Sequence, residues 1–182
     1  FTLHVPEERR LLVVRGDGEM TRYIDLALSP ELVQGRVAFR TETIPENALA
    51  ATALGSYDAV VLAGPSTLSS GEISTLARYV ETGGGLLFFP SERAQAPDYN
   101  ALFEALGGGR FSGFSGSLTD AQPIASFERV DVQHPLFEGV FDRTETSDDD
   151  VTVESPDIYY AMNYSPRGAA AQTLIELSNG FP

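Results

Sequence analysis

The sequence predicts an α/β protein with a mainly parallel sheet, and three of its features do so. It has short apolar runs, amphipathic stretches of helical period between them, and glycine or proline at most junctions. The apolar runs are Arg10-Leu11-Leu12-Val13-Val14-Arg15, Tyr57-Asp58-Ala59-Val60-Val61-Leu62-Ala63 and Leu86-Leu87-Phe88-Phe89. Runs that do not alternate are the mark of strands buried on both faces, as in parallel sheets. Strand–helix alternation of this kind implies βαβ units with right-handed crossovers and helices on both faces.

The first run is broken by Gly16-Asp17-Gly18. A short helix follows through Met20–Ser29, with Tyr23, Leu26 and Ala27 at i, i+3, i+4 as its expected inward stripe and Pro30 as its stop. Arg36–Thr43 alternates Val37, Phe39 and Thr41 with polar residues, as a strand nearer an edge does. Ala-rich Pro45–Leu54, with proline leading, predicts a helix. The second apolar run ends at Gly64-Pro65-Ser66, and Ser69-Ser70-Gly71-Glu72 then supplies a Ser cap with acid in the first turn. Ile73, Leu76, Ala77 and Val80 complete an amphipathic stripe closed by Gly83-Gly84-Gly85. The third run stops at Pro90, and Asp98–Leu106 predicts a shorter helix with Leu102, Phe103 and Leu106 inward.

From Gly107 the pattern changes. Gly107–Gly116 reads as a glycine-rich loop, Phe127–Val132 as a strand, and acidic Asp142–Asp150 as a loop. Asp157–Tyr164 and Gln172–Leu177 read as strands of an antiparallel extension. The whole, residues 1–182, is expected to be one domain with an irregular C-terminal third. Phe1 in place of an initiator Met, and a strand running into Ser178-Asn179-Gly180 just before the end, suggest a piece excised from a longer chain with its last hairpin truncated.

Composition removes whole classes of chemistry. Twelve basic against twenty-six acidic residues give a formal charge of −14, a field that repels nucleic acid and anionic lipid. Without cysteine there is no thiolate nucleophile, redox pair or cysteine-based metal site. All twelve basic residues are arginine, so there is no Schiff-base or phosphate-loop lysine. His4 and His134 are the sole imidazoles, too few for a closed zinc site. No cofactor and no metal are expected.

Ligands of open α/β sheets bind beyond the carboxyl ends of the strands. That rule singles out Gly16, Asp17 and Gly18 after the first strand, Ser66 after the third, and Ser91 after the fourth. Gly16-Asp17-Gly18 could offer backbone N–H groups to an anion, although a tight strand-to-helix turn needs the same residues. It lacks the third glycine of a dinucleotide fingerprint. Ser91 stands where a strand-to-helix nucleophile would, and with His134 and a carboxylate it could form a triad. Phe89-Pro90-Ser91-Glu92-Arg93 is nevertheless not the Gly-x-Ser-x-Gly elbow, so helix initiation is the plainer role for Ser91. The Glu145–Asp150 acidic stretch could hold a hard cation, but it has neither the ligand alternation nor the central glycine of a calcium loop.

Tyr57–Leu62, Ser70-Gly71-Glu72 through Leu76, Tyr79-Val80 and Gly83–Leu87 resemble the class I glutamine amidotransferase-like superfamily, most closely its trehalose-utilisation-type branch. Asp131 and His134-Pro135-Leu136-Phe137-Glu138-Gly139-Val140 are similar to that branch's His-Pro segment. The likeness spans about residues 10–140 and extends to amidotransferase-like domains of bacterial membrane-anchored proteins related to the aerotolerance operon. It implies a flavodoxin-like three-layer sandwich and a pocket around Gly16, Ser66, Ser91 and His134. True amidotransferases use a Cys after a strand and a later His. Here Pro90 and Ser91 occupy that turn and no His follows residue 134, so glutamine hydrolysis does not carry over. The resemblance therefore implies a non-catalytic domain that binds a protein partner or a small ligand, not nucleic acid. It would lie outside the cytoplasmic membrane in an anchored parent protein. The alternatives are a serine-type hydrolase or carbohydrate-acting enzyme using Ser91 and His134, and a flavodoxin-like cofactor binder.

Overall fold

The computed structural model describes residues 9–16, 18–28, 39–91, 93–117, 119–137, 154–168 and 171–180. Its contacts divide it into two compact units, Phe1–Leu106 and Gly107–Pro182. The division falls where the sequence pattern changes.

The first unit runs β1 (Arg9–Arg15), α1 (Gly18–Ala27), β2 (Phe39–Pro45), β3 (Ala59–Ala63), α2 (Ser70–Glu81), β4 (Gly85–Phe89) and α3 (Ala96–Ala105). The strands form one sheet in the order β2-β1-β3-β4, and every pairing is parallel. Period-two alternation sorts the apolar runs onto two faces. Leu12, Val14, Val60 and Leu62 pack on Leu76 and Tyr79 of α2 and Leu102 of α3. Val13, Val61 and Ala63 pack on Ile24 of α1. Helices thus cover both faces, and the flavodoxin-like three-layer expectation holds for this unit. Each fully buried Val or Leu contributes roughly 1.5–3 kcal/mol of transfer free energy.

α2 forms as its sequence predicts. Ser69 accepts from the Glu72 N–H, and the Glu72 carboxylate returns to the Ser69 N–H at 2.7 Å, closing a capping box. Two expectations need correction. In α1 the stripe Tyr23, Leu26 and Ala27 faces solvent, with Tyr23 72% and Leu26 60% exposed, whereas Thr21 and Ile24 are buried. The segment after β2 makes two 3-10 turns, Glu46–Ala51 and Leu54–Ser56, in place of one α-helix. Pro45 both ends β2 and caps the first of these turns, and the tighter turns drop Leu49 and Leu54 into the core.

The second unit pairs β5 (Arg110–Gly116) with β7 (Tyr160–Ser165), and β6 (Phe127–Val130) with β8 (Ile175–Leu177), both antiparallel. The partly antiparallel extension is therefore present. The expected glycine-rich loop is strand β5, however. Its last glycine serves close approach: at Gly116 (φ 73°) a Cβ would sit 2.2 Å from the Tyr159 carbonyl oxygen. Phe114 stacks on Tyr160 and Phe111 packs at a tilt against Tyr164 across the β5–β7 pair, with ring centroids 4.9 Å apart in each. The acidic stretch 142–150 lies outside the described residues.

Candidate functional site

Strand order reverses between β1 and β3, so the turns after these strands flank the crevice where open parallel sheets place ligands. Gly16 follows β1, and its N–H donates to the Ala63 carbonyl at 2.9 Å. A Cβ on Gly16 would lie 2.1 Å from the Gly64 oxygen, so glycine alone lets the two turns touch. Gly18 opens α1, while Asp17 lies outside the described residues. Arg15 at the end of β1 pairs with Asp25 of α1, which sets the helix over its strand.

Ser66 follows β3. Its N–H and Oγ donate to Oε2 and Oε1 of Glu46 at 2.8 and 2.7 Å, a two-point charge-assisted contact. Glu46 comes from the 3-10 turn after β2, so the carboxylate ties two strand ends together and already fills the donors that Ser66 would offer an anion.

Ser91 follows β4 and is only 3% exposed. Its N–H donates to the Tyr99 hydroxyl oxygen at 2.9 Å, and its Oγ accepts from the Arg93 N–H at 3.1 Å. The Tyr99 hydroxyl donates in turn to the Pro65 carbonyl at 2.5 Å. Fully buried Tyr99, on α3, thus bridges the turns after β3 and β4, with its ring edge-on to Phe88 at 4.8 Å. The structure brings Gly16, Ser66 and Ser91 together along one carboxyl edge of the sheet.

His134 belongs to the second unit. It begins the turn through Pro135–Phe137, and its Nδ1 accepts from the Leu136 N–H at 3.2 Å. The Asp131 carbonyl accepts from the His134 N–H at 3.1 Å, and the Asp131 carboxylate accepts from the Gln172 amide at 3.3 Å. The resemblance-bearing Asp and His are therefore turn-formers in their own segment.

Electrostatic tuning lies at the other end of the sheet. The Asp58 carboxyl is held below its ordinary value, first by the Arg10 backbone N–H at 2.7 Å and then by the Arg9 guanidinium at 3.0 Å. Tyr57 is pushed up chiefly by its hydrogen bond to Glu42, and Tyr79 by burial. All three sit near the amino end of β3, where Tyr79 donates to the Tyr57 carbonyl at 3.0 Å. Among the described residues no three His, Asp or Glu side chains gather as a metal would need.

Sequence reasoning missed Tyr99 and Glu46. A tyrosine on the inward face of a short helix signals a hydroxyl that must find a partner, but not which one.

No protein-family model matches the chain, and no curated protein matches it. Among solved structures, a protein of Bacteroides uniformis described as ThuA-like superposes with a TM-score of 0.60. The match covers 98% of this chain and 72% of that one, at 16% sequence identity. The likeness shows the fold. It is a flavodoxin-like α/β fold, as the sequence resemblance implied, and at that identity it carries neither family nor activity with it.

Proposed function

We propose that this chain is a non-catalytic amidotransferase-like domain that binds a protein partner or a small ligand. One observation carries the reading: the turn where a relative would expose its thiol holds a buried Ser91. The Oγ of Ser91 accepts from the Arg93 N–H, and its backbone is tied to Tyr99. A nucleophile needs a base aimed at it and an approach for substrate, whereas Ser91 serves the turn.

We further propose an extracytoplasmic location in a membrane-anchored bacterial parent, which rests on the sequence resemblance alone. Among the described residues no helix is long and apolar enough to cross a membrane, so an anchor would come from other parts of the parent. Apolar helices flanking this segment in the parent gene would support the location, and a parent without any would refute it.

The functional test is turnover. Neither the chain nor its Ser91→Ala variant should hydrolyse glutamine or a simple ester above background. Hydrolysis by the native chain that disappears in Ser91→Ala would replace this reading with the serine-hydrolase one.

A further inference from the structure

Two donors of one residue meet one carboxylate at the carboxyl edge of the sheet. The Ser66 N–H reaches Glu46 Oε2 at 2.8 Å and the Ser66 Oγ reaches Glu46 Oε1 at 2.7 Å, so each carboxylate oxygen takes one of them. Neither element needs this contact to stay in place. The turn that presents Ser66 is fixed by other bonds. Gly16 donates to the Ala63 carbonyl and Gly64 to the Phe89 carbonyl, both at 2.9 Å, and the Tyr99 hydroxyl donates to the Pro65 carbonyl. Glu46 opens the 3-10 turn Glu46–Ala51. That turn is held at its start by β2, paired with β1 as far as Pro45 beside Arg15, and from within by fully buried Leu49. The Ser66 donors are therefore preorganised, and the Glu46 side chain alone closes the contact. Ser66 is exposed and Glu46 half-buried, so water competes for both and the net contribution to folding is small.

We infer that the Ser66 N–H and Oγ form a recognition point for a small monocarboxylic acid, which Glu46 occupies in cis until the acid displaces it. The inference deepens the binding-domain reading above and rests on it. The ligand class follows from the occupant. A planar carboxylate already fits the two donors oxygen for oxygen, and charge-assisted bonds of this kind are roughly twice as strong as neutral ones. The place agrees, because Ser66 follows β3 beside the switch in strand order, where open parallel sheets bind ligands. The formal charge of −14 repels a polyacidic partner far more than a single carboxylate, which favours the small acid. Glu46 is a built-in competitor. Its tether gives it a high effective concentration at Ser66, so a bare carboxylate binds the native chain weakly.

The test titrates acetate into the whole chain, labelled for NMR, with chloride holding the ionic strength at about 0.5 M so that screening stays constant. The N–H resonance of residue 66 reports occupancy. Glu46→Ala should bind acetate at least about tenfold more tightly than the native chain, since it removes the competitor and leaves the donors. Glu46→Gln, which keeps the length of the side chain but not its charge, should fall between the two. Adding Ser66→Ala to Glu46→Ala deletes the hydroxyl and should weaken acetate at least about fivefold. Acetamide, the neutral counterpart, should bind Glu46→Ala more weakly than acetate. The inference is overturned if acetate leaves residue 66 unmoved in both Glu46 variants, or binds the native chain as tightly as Glu46→Ala. It is equally overturned if acetate is matched by acetamide or indifferent to the loss of the Ser66 hydroxyl. A polyglutamate peptide that binds Glu46→Ala more tightly than acetate would overturn the assignment to a small acid. Turnover that disappears in Ser91→Ala strikes the binding-domain reading, whereas each of these outcomes strikes the inference alone.

Discussion

Tyr99 joins two turns that lie far apart in sequence, donating to Pro65 and accepting from Ser91 while fully buried. Removing only its hydroxyl leaves a buried carbonyl and a buried N–H without that partner. Tyr99→Phe should therefore lower unfolding free energy by about 1–3 kcal/mol in a denaturant titration, although it removes no apolar surface. Gly16 makes a different residue-scale argument. Gly16→Ala drives a methyl into the Gly64 carbonyl and should cost about 1–3 kcal/mol or more, whereas Gly55→Ala meets open space and should stay within about 0.5 kcal/mol. Equal losses at the two glycines would refute the close-approach account. The common position of Gly16, Ser66 and Ser91 at the carboxyl ends of their strands was legible from the sequence. Tyr99 and Glu46 were not, because their partners are distant in sequence and no local pattern encodes them.

Helix α1 shows where element-scale reasoning reaches its limit. Its ten residues hold two apolar faces, one with Ile24 beside Thr21 and the other with Tyr23, Leu26 and Ala27. Helical periodicity accepts either, and the second is the richer in apolar residues. The first is buried because Ile24 fits against Val13, Val61 and Ala63, while the Arg15–Asp25 pair restrains the helix's rotation. Ile24→Ala should accordingly cost about 2–5 kcal/mol, and Tyr23→Ala or Leu26→Ala no more than about 0.5 kcal/mol, by thermal or denaturant unfolding. The reverse ranking would mean that the helix is turned the other way. α2 posed no such ambiguity, since its Ser69 cap, single stripe and glycine stop agree with one another.

For the whole molecule, acid is the informative variable. Asp58 joins the start of β3 to β1 through the Arg10 N–H and Arg9, and these bonds lower its folded pKa below the unfolded value. A depressed carboxyl stabilises the fold above its unfolded pKa of about 3.9, and that contribution is lost as pH falls through the folded value. Asp58→Asn should therefore be less stable than the native chain at neutral pH, and the gap should narrow as pH drops below about 4. Denaturation midpoints measured across that range check the sign. A gap independent of pH would mean that the amide replaces the carboxylate's bonds equally well.

Short non-alternating apolar runs and helical stripes were enough to specify a parallel α/β sheet, its strand sequence and the change of character after Leu106. Burial demand is written locally, in the period of the side chains. Tertiary structure alone decided the strand order β2-β1-β3-β4, the buried face of α1, the strand made from a glycine-rich stretch, and the Glu46–Ser66 and Tyr99–Ser91 contacts. Each of these depends on which distant group arrives as partner, and a hydrogen bond or a packing contact leaves no periodic trace in either of the segments it joins.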